Sequence, residues 1–82
     1  MVFGGKTEEA QKIANCESGL NPERINYEDE KITGHKSYGL FQINGYFENW
    51  SDPYVNSLKA KEIYNKRGWS AWLKCSKKLG LF

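Results

Sequence analysis

The stretch that decides the fold opens as Ile13-Ala14-Asn15-Cys16-Glu17-Ser18-Gly19-Leu20-Asn21-Pro22 and closes as Ser37-Tyr38-Gly39-Leu40-Phe41-Gln42-Ile43-Asn44. Its pivot is Glu17. Counting back, apolar residues stand three, four and seven positions away, at Ala14, Ile13 and Ala10. That is the stripe a helix turns toward a core. Glu17 therefore continues a buried stripe with a carboxyl group. Taking water from a carboxylate favours the neutral acid and raises its pKa. Gly19 stops the helix, and Pro22 forbids its return. The carboxyl then emerges half-buried at a helix end, the setting a general acid needs. The structural alternative is a plain helix-end glutamate, paired or solvated. The macrodipole disfavours a negative charge at that end of a helix, so nothing structural asks for one there.

Upstream, Thr7 reads as an N-cap, with Glu8 and Glu9 in the first turn and a helix over residues 8–17. Phe3, in the short lead before it, can pack on the core. Between the two halves of the stretch, Ile25, Tyr27 and Ile32 are spaced like the apolar points of a short hairpin. Glu28, Asp29 and Glu30 read as a solvated turn. They lack the spacing and loop glycine of a calcium site. His35 reads as exposed and without metal partners. In the closing run, Gly39 lets the backbone approach a neighbour, and Gln42 needs a hydrogen-bond partner, from protein or ligand.

Downstream, Ser51 or Asp52 caps a helix that begins at Pro53 and ends at Arg67, stopped by Gly68. Its apolar residues point several ways, as in a central helix touched from more than one side. A last helix is expected over residues 69–79, with Trp69, Trp72, Leu73, Ser76 and Leu79 as its inner stripe.

The chain has 82 residues, which makes one small domain. Domains of this size bury about 60% of their unfolded surface and gain from a covalent staple. Cys16 and Cys75 are either a disulfide or two buried thiols. Residues 1–52 carry five Lys/Arg against nine Asp/Glu, and residues 53–82 carry seven against one. The basic second half suits an anionic partner or is simply a solvated lysine face. No aromatic platform or motif accompanies it, so nucleic acid is not an expected partner. No apolar run is long enough to span a membrane, and none reads as a signal-peptide core.

Three segments together resemble the lysozyme superfamily. Glu17-Ser18-Gly19 with Asn26-Tyr27 resembles the catalytic-glutamate segment of chicken-type lysozymes and soluble lytic transglycosylases. Tyr38-Gly39-Leu40-Phe41-Gln42-Ile43-Asn44 is similar to the strand motif lining the lysozyme cleft. Ala60, Ile63 and Gly68-Trp69-Ser70-Ala71-Trp72 ending in Cys75 resemble the late helices. The pairing of Cys16-Glu17-Ser18-Gly19 with the Gly68–Cys75 segment also resembles the compact catalytic domain of resuscitation-promoting factors. The likeness covers nearly the whole chain after Thr7.

The resemblance implies an α+β, mainly α fold, with three main helices, a small β-hairpin and a cleft between them. It implies cleavage of the β-1,4 bond between N-acetylmuramic acid and N-acetylglucosamine in peptidoglycan, by a monomer needing neither metal nor cofactor. Glu17 would protonate the glycosidic oxygen. In lysozymes a glutamate packed against a tryptophan has a raised pKa, and Trp69 matches that tryptophan's place. Asn26 would hold the N-acetyl group, and Gln42 and Asn44 would bond sugar. Ser37, Tyr38, Trp50 and Tyr64 are further candidates for contact with the glycan. By the same likeness Cys16 and Cys75 pair as a disulfide, which favours an extracytoplasmic site of action.

One position departs from the pattern. Chicken-type lysozymes carry an aspartate just before the Tyr-Gly pair, and here that position is Ser37. Glu28, Asp29 and Glu30 are the candidates to replace that second carboxylate, although they lie on a different stretch. A single glutamate is the pattern of lytic transglycosylases and resuscitation-promoting factors. There the ionised glutamate goes on to act as base, either on the sugar's 6-hydroxyl, giving a 1,6-anhydro product, or on water. The competing function is a module that binds peptidoglycan or chito-oligosaccharides without cleaving them. Retention of Glu17 argues against it. An inhibitor or structural subunit finds no positive sign in the chain.

Overall fold

Residues 2–81 are described by a computed structural model. Met1, at the head of the expected lead, lies outside them. The chain folds as an α+β domain, mainly α. A 3-10 turn at Gly4–Lys6 runs into α1 (Thr7–Ser18). Strand β1 (Ile25–Asn26), a short α2 (Asp29–Thr33), β2 (Ser37–Tyr38) and β3 (Ile43–Asn44) follow. Helix α3 (Pro53–Arg67), a second 3-10 turn (Gly68–Trp72) and α4 (Leu73–Leu79) complete it. Among the described residues no helix is long and apolar enough to cross a membrane.

Helix α1 forms over nearly the expected span and buries Ala10, Ile13 and Ala14. Thr7 is not its cap. The preceding 3-10 turn feeds the helix directly, and both the Thr7 amide and its hydroxyl donate to the Gly4 carbonyl. Gly19 ends the helix in the left-handed conformation, φ 67°, its amide donating to the Asn15 carbonyl. That conformation favours glycine.

The expected small hairpin is a three-stranded antiparallel sheet in the order β1-β2-β3. Ile25 faces Tyr38 and Asn26 faces Ser37, while Ser37 faces Asn44 and Tyr38 faces Ile43. Only Ile25 of the three apolar points expected in a hairpin lies in a strand. Tyr27 and Ile32 are exposed. The Asn26 side chain accepts from the Glu28 amide at 3.0 Å and turns the chain into α2 instead. Asp29 and Glu30 then occupy the first helical turn, where acids are favoured.

Asp52 caps α3, its Oδ1 accepting from the Tyr54 and Val55 amides at 2.8 and 3.2 Å. Contrary to the central-helix expectation, α3 buries only a narrow strip, Asn56 and Ala60, and leaves Tyr54 and Leu58 exposed. The expected last helix is divided. Its first part is a 3-10 turn, whose period of three brings Trp69 and Trp72 onto one face. Both are buried, whereas Leu73, expected on the inner stripe, is exposed.

The core is aromatic. Phe3 packs on Phe41, Tyr64 and Trp69, with ring centroids 5.5, 5.9 and 5.6 Å away. Trp72 lies 5.8 Å from Trp69 and donates its indole N–H to the Phe41 carbonyl at 2.8 Å. Cys16 and Cys75 form a disulfide that ties α1 to α4.

Candidate active site

The site is built where the end of α1 meets the sheet. Ser18, directly after Glu17, is buried. Its hydroxyl donates to the Leu40 carbonyl at 2.7 Å, with the Ala14 carbonyl at 3.0 Å as the alternative acceptor. This bond ties the last turn of α1 to the β2–β3 turn. The Arg24 carbonyl accepts from the Gly39 amide at 2.7 Å and from Gln42 Nε2 at 3.0 Å. The connection after α1 is thereby clamped to the same turn. Gly39 sits at φ 78°, and a Cβ there would lie 2.6 Å from the Trp50 carbonyl and collide with Asn56. Glycine is required by both conformation and space.

Glu17 is half-buried on this frame. Its carboxyl pKa is raised from 4.5 to about 7. Loss of water is the main cause, and the negative charge of Asp29 adds to it. Arg24 and Lys74 pull the other way. A carboxyl of this kind holds its proton close to neutral pH and can release it there. Among the described residues, no side-chain hydrogen bond or ion pair holds Glu17 itself. Nor does any group of three or more His, Cys, Asp or Glu there stand ready for a metal.

The sequence set Asp29 apart from the Ser37 position, yet the fold brings the two together. Ser37 is buried, and its hydroxyl donates to Asp29 Oδ2 at 2.6 Å. Asn44 Nδ2 lies 3.3 Å from Ser37 Oγ and 2.9 Å from both Thr33 Oγ1 and the His35 carbonyl. Tyr38 is half-buried beside Trp50 and Tyr46, at centroid distances of 5.1 and 5.9 Å. Gln42 is buried at φ 51°, and its Nε2 donates to the Gly39 carbonyl at 2.8 Å as well as to that of Arg24. Its Oε1 is buried without a partner among the described residues.

Trp69 and Tyr64 belong to the core. Their rings lie 4.4 Å apart, and the Trp69 indole donates to Glu9 Oε2 at 3.1 Å. Glu9 stands about two turns before Glu17 on α1, so the tryptophan implied for the catalytic carboxyl reaches the other end of that helix. Sequence reasoning missed Arg24 and Lys74 as the cations beside Glu17. Neither position carries a local pattern that could have found it. It also missed Asn56, which is fully buried. Asn56 accepts from the Phe41 amide at 2.8 Å and donates to the Tyr38 and Trp50 carbonyls at 3.0 and 3.1 Å. A lone asparagine on the inner face of α3 was the available signal.

A groove of about 330 Å³ lies between α1, the β2–β3 turn and the start of α3. Ala10, Ala14, Leu20, Leu40, Phe41 and Tyr54 line much of it, and Glu17 does not. The cleft expected at Glu17 is therefore not this groove. Known protein families, curated proteins and solved structures contain no match to the chain.

Proposed function

We propose that this protein is a lysozyme-like glycosidase that cleaves the β-1,4 bond between N-acetylmuramic acid and N-acetylglucosamine in peptidoglycan. Glu17 is its general acid and then its base, as in a lysozyme or a lytic transglycosylase. One observation carries the reading: a half-buried carboxyl with its pKa raised to about 7, fixed at a helix end against the Tyr38–Asn44 turn. Burial without a partner stabilises neither a helix nor a core. It does suit a group that must give up a proton near neutral pH.

The other candidates divide by exposure. Asn44 is exposed, and Tyr38 and Asn26 are half-exposed, so these three serve as glycan contacts. Ser37, Gln42, Trp69 and Tyr64 are engaged in internal bonds or packing and serve as framework. The Cys16–Cys75 bridge suits an oxidising, extracytoplasmic site, where glycan strands of the wall are the partner.

The test is Glu17→Gln, which keeps the shape and removes the proton. Clearing of a peptidoglycan suspension falls by at least about 10³-fold, while co-sedimentation with the same material is retained. Clearing at the wild-type rate would remove Glu17 from the role given to it. A wild-type protein that sediments with the wall and never clears it would be the binding module.

A further inference from the structure

Between α1 and α4, a groove of about 250 Å³ runs beside the Cys16–Cys75 bridge. Lys12, Asn15 and Cys16 line it from one helix, and Lys78 and Leu79 from the other. Cys16 is half-buried and reaches this groove, whereas Cys75 is only 8% exposed and does not line it. One end of the bridge is therefore open to a small molecule, and the other is shielded.

The open end is electropositive. Lys12 stands one turn before Cys16 and Lys78 one turn after Cys75, so each helix sets one ammonium group near its own cysteine. Among the described residues Lys78 makes no ion pair. Lys12 meets only Glu8, 3.7 Å away, and both side chains are exposed, a contact that contributes little. Glu17 follows Cys16 in the chain, but no acid lines the groove. The Asn15 amide adds a neutral donor, and Leu79 an apolar wall.

We propose that Cys16 is a thiol-exchange site, entered by small thiols that carry a carboxylate or sulfonate. The two lysines hold the acid group and Leu79 the carbon chain, which sets the entering sulfur against Cys16 Sγ. The thiolate attacks Cys16 Sγ and forms a new S–S bond. The Cys16–Cys75 bond breaks, and its electron pair leaves on Cys75 Sγ, which takes a proton from water. The entering thiol is oxidised to one half of a mixed disulfide, and Cys75 is reduced to a thiol. Ammonium groups nearby favour both thiolates, the one that enters and the one that leaves. The step unties α1 from α4 one residue before Glu17, so exchange lowers wall clearing. That consequence rests on the reading of Glu17; the exchange does not.

The experiment treats the native protein with mercaptoethanesulfonate or with neutral mercaptoethanol. Each rate constant is taken per thiolate and divided by that thiol's rate on a small neutral disulfide. Iodoacetamide stops the reaction, and peptide mass spectrometry locates the added groups. The expected products carry the thiol on Cys16 and the alkyl group on Cys75. At low salt the anionic thiol is favoured by about 10-fold. In about 1 M salt, where the screening length falls to about 3 Å, the preference falls toward one. Lys12→Gln with Lys78→Gln abolishes it, and Lys12→Arg with Lys78→Arg keeps it. Adducts on Cys75, or on both cysteines equally, overturn the proposal. So does an equal rate for the two thiols, or a preference that survives loss of both lysines. A bridge that opens only at the rate of unfolding, whatever the thiol concentration, overturns it as well. None of these readouts needs cleavage of a glycan, so their failure leaves the reading of Glu17 as it was.

Discussion

At the scale of single residues, Glu17 makes stability and pH pull against each other. Below pH 4.5 both the folded and unfolded states hold its proton. Between 4.5 and about 7 only the folded state does, and above about 7 neither does. The folded state binds more protons in that window, so stability falls as pH rises through it. Glu17→Gln removes the penalty. Urea denaturation should find the variant more stable than wild type by about 1–2 kcal/mol at pH 8, after allowance for the carboxyl's remaining solvent contact. At pH 4 the two should match. Equal stability at pH 8 would mean that the carboxyl is better solvated than its burial indicates. Gly39 gives the opposite kind of test. Gly39→Ala meets both an unfavourable φ of 78° and the Trp50 carbonyl, and should cost about 2–4 kcal/mol in the same assay. Both residues were legible in the sequence, Glu17 from its place in an apolar stripe and Gly39 from its place inside an apolar run. The direction of the Trp69 indole was not legible, because a motif fixes the order of residues and not where a side chain points. Here the 3-10 period turns its indole to Glu9.

At the scale of elements, the join between α3 and the β2–β3 turn carries the sheet. Asn56 makes that join with one accepted and two donated bonds, and it is fully buried. Asn56→Ala strands a buried amide and two carbonyls, and should destabilise the fold by about 3 kcal/mol. Amide exchange should then accelerate first at Phe41, whose N–H loses its acceptor; unchanged protection there would show that the sheet is held by other contacts. The long elements were readable because caps and stops are local. Asp52 with Pro53, Gly19 and Gly68 each mark an end by their own chemistry. The short ones were not. A two-residue strand carries no period, and α2 depends on an Asn26 turn and an inward Asp29 that only the folded chain brings to Ser37.

At the scale of the whole molecule, one bridge and one aromatic core hold a chain of 82 residues. The Cys16–Cys75 bridge spans 59 positions, and a loop of that length contributes roughly 4 kcal/mol in the chain-entropy account. Reduction should therefore lower the urea midpoint steeply, and wall clearing at 37 °C should fail with it. A reduced protein of unchanged midpoint would show that the core suffices alone. The α+β class and the closure of the chain by its two cysteines were within reach of the sequence, the latter only through resemblance. The apolar groove lined by Ala10, Ala14 and Phe41 was not, because it depends on how α1, α3 and the sheet turn pack together. The most direct test of the central claim is mass spectrometry of the soluble products released from purified peptidoglycan by the wild-type protein and by Glu17→Gln. The central claim predicts muropeptides, ending in either reducing or 1,6-anhydro N-acetylmuramic acid, from the wild type and none from the variant. Release of the same products by Glu17→Gln would contradict it.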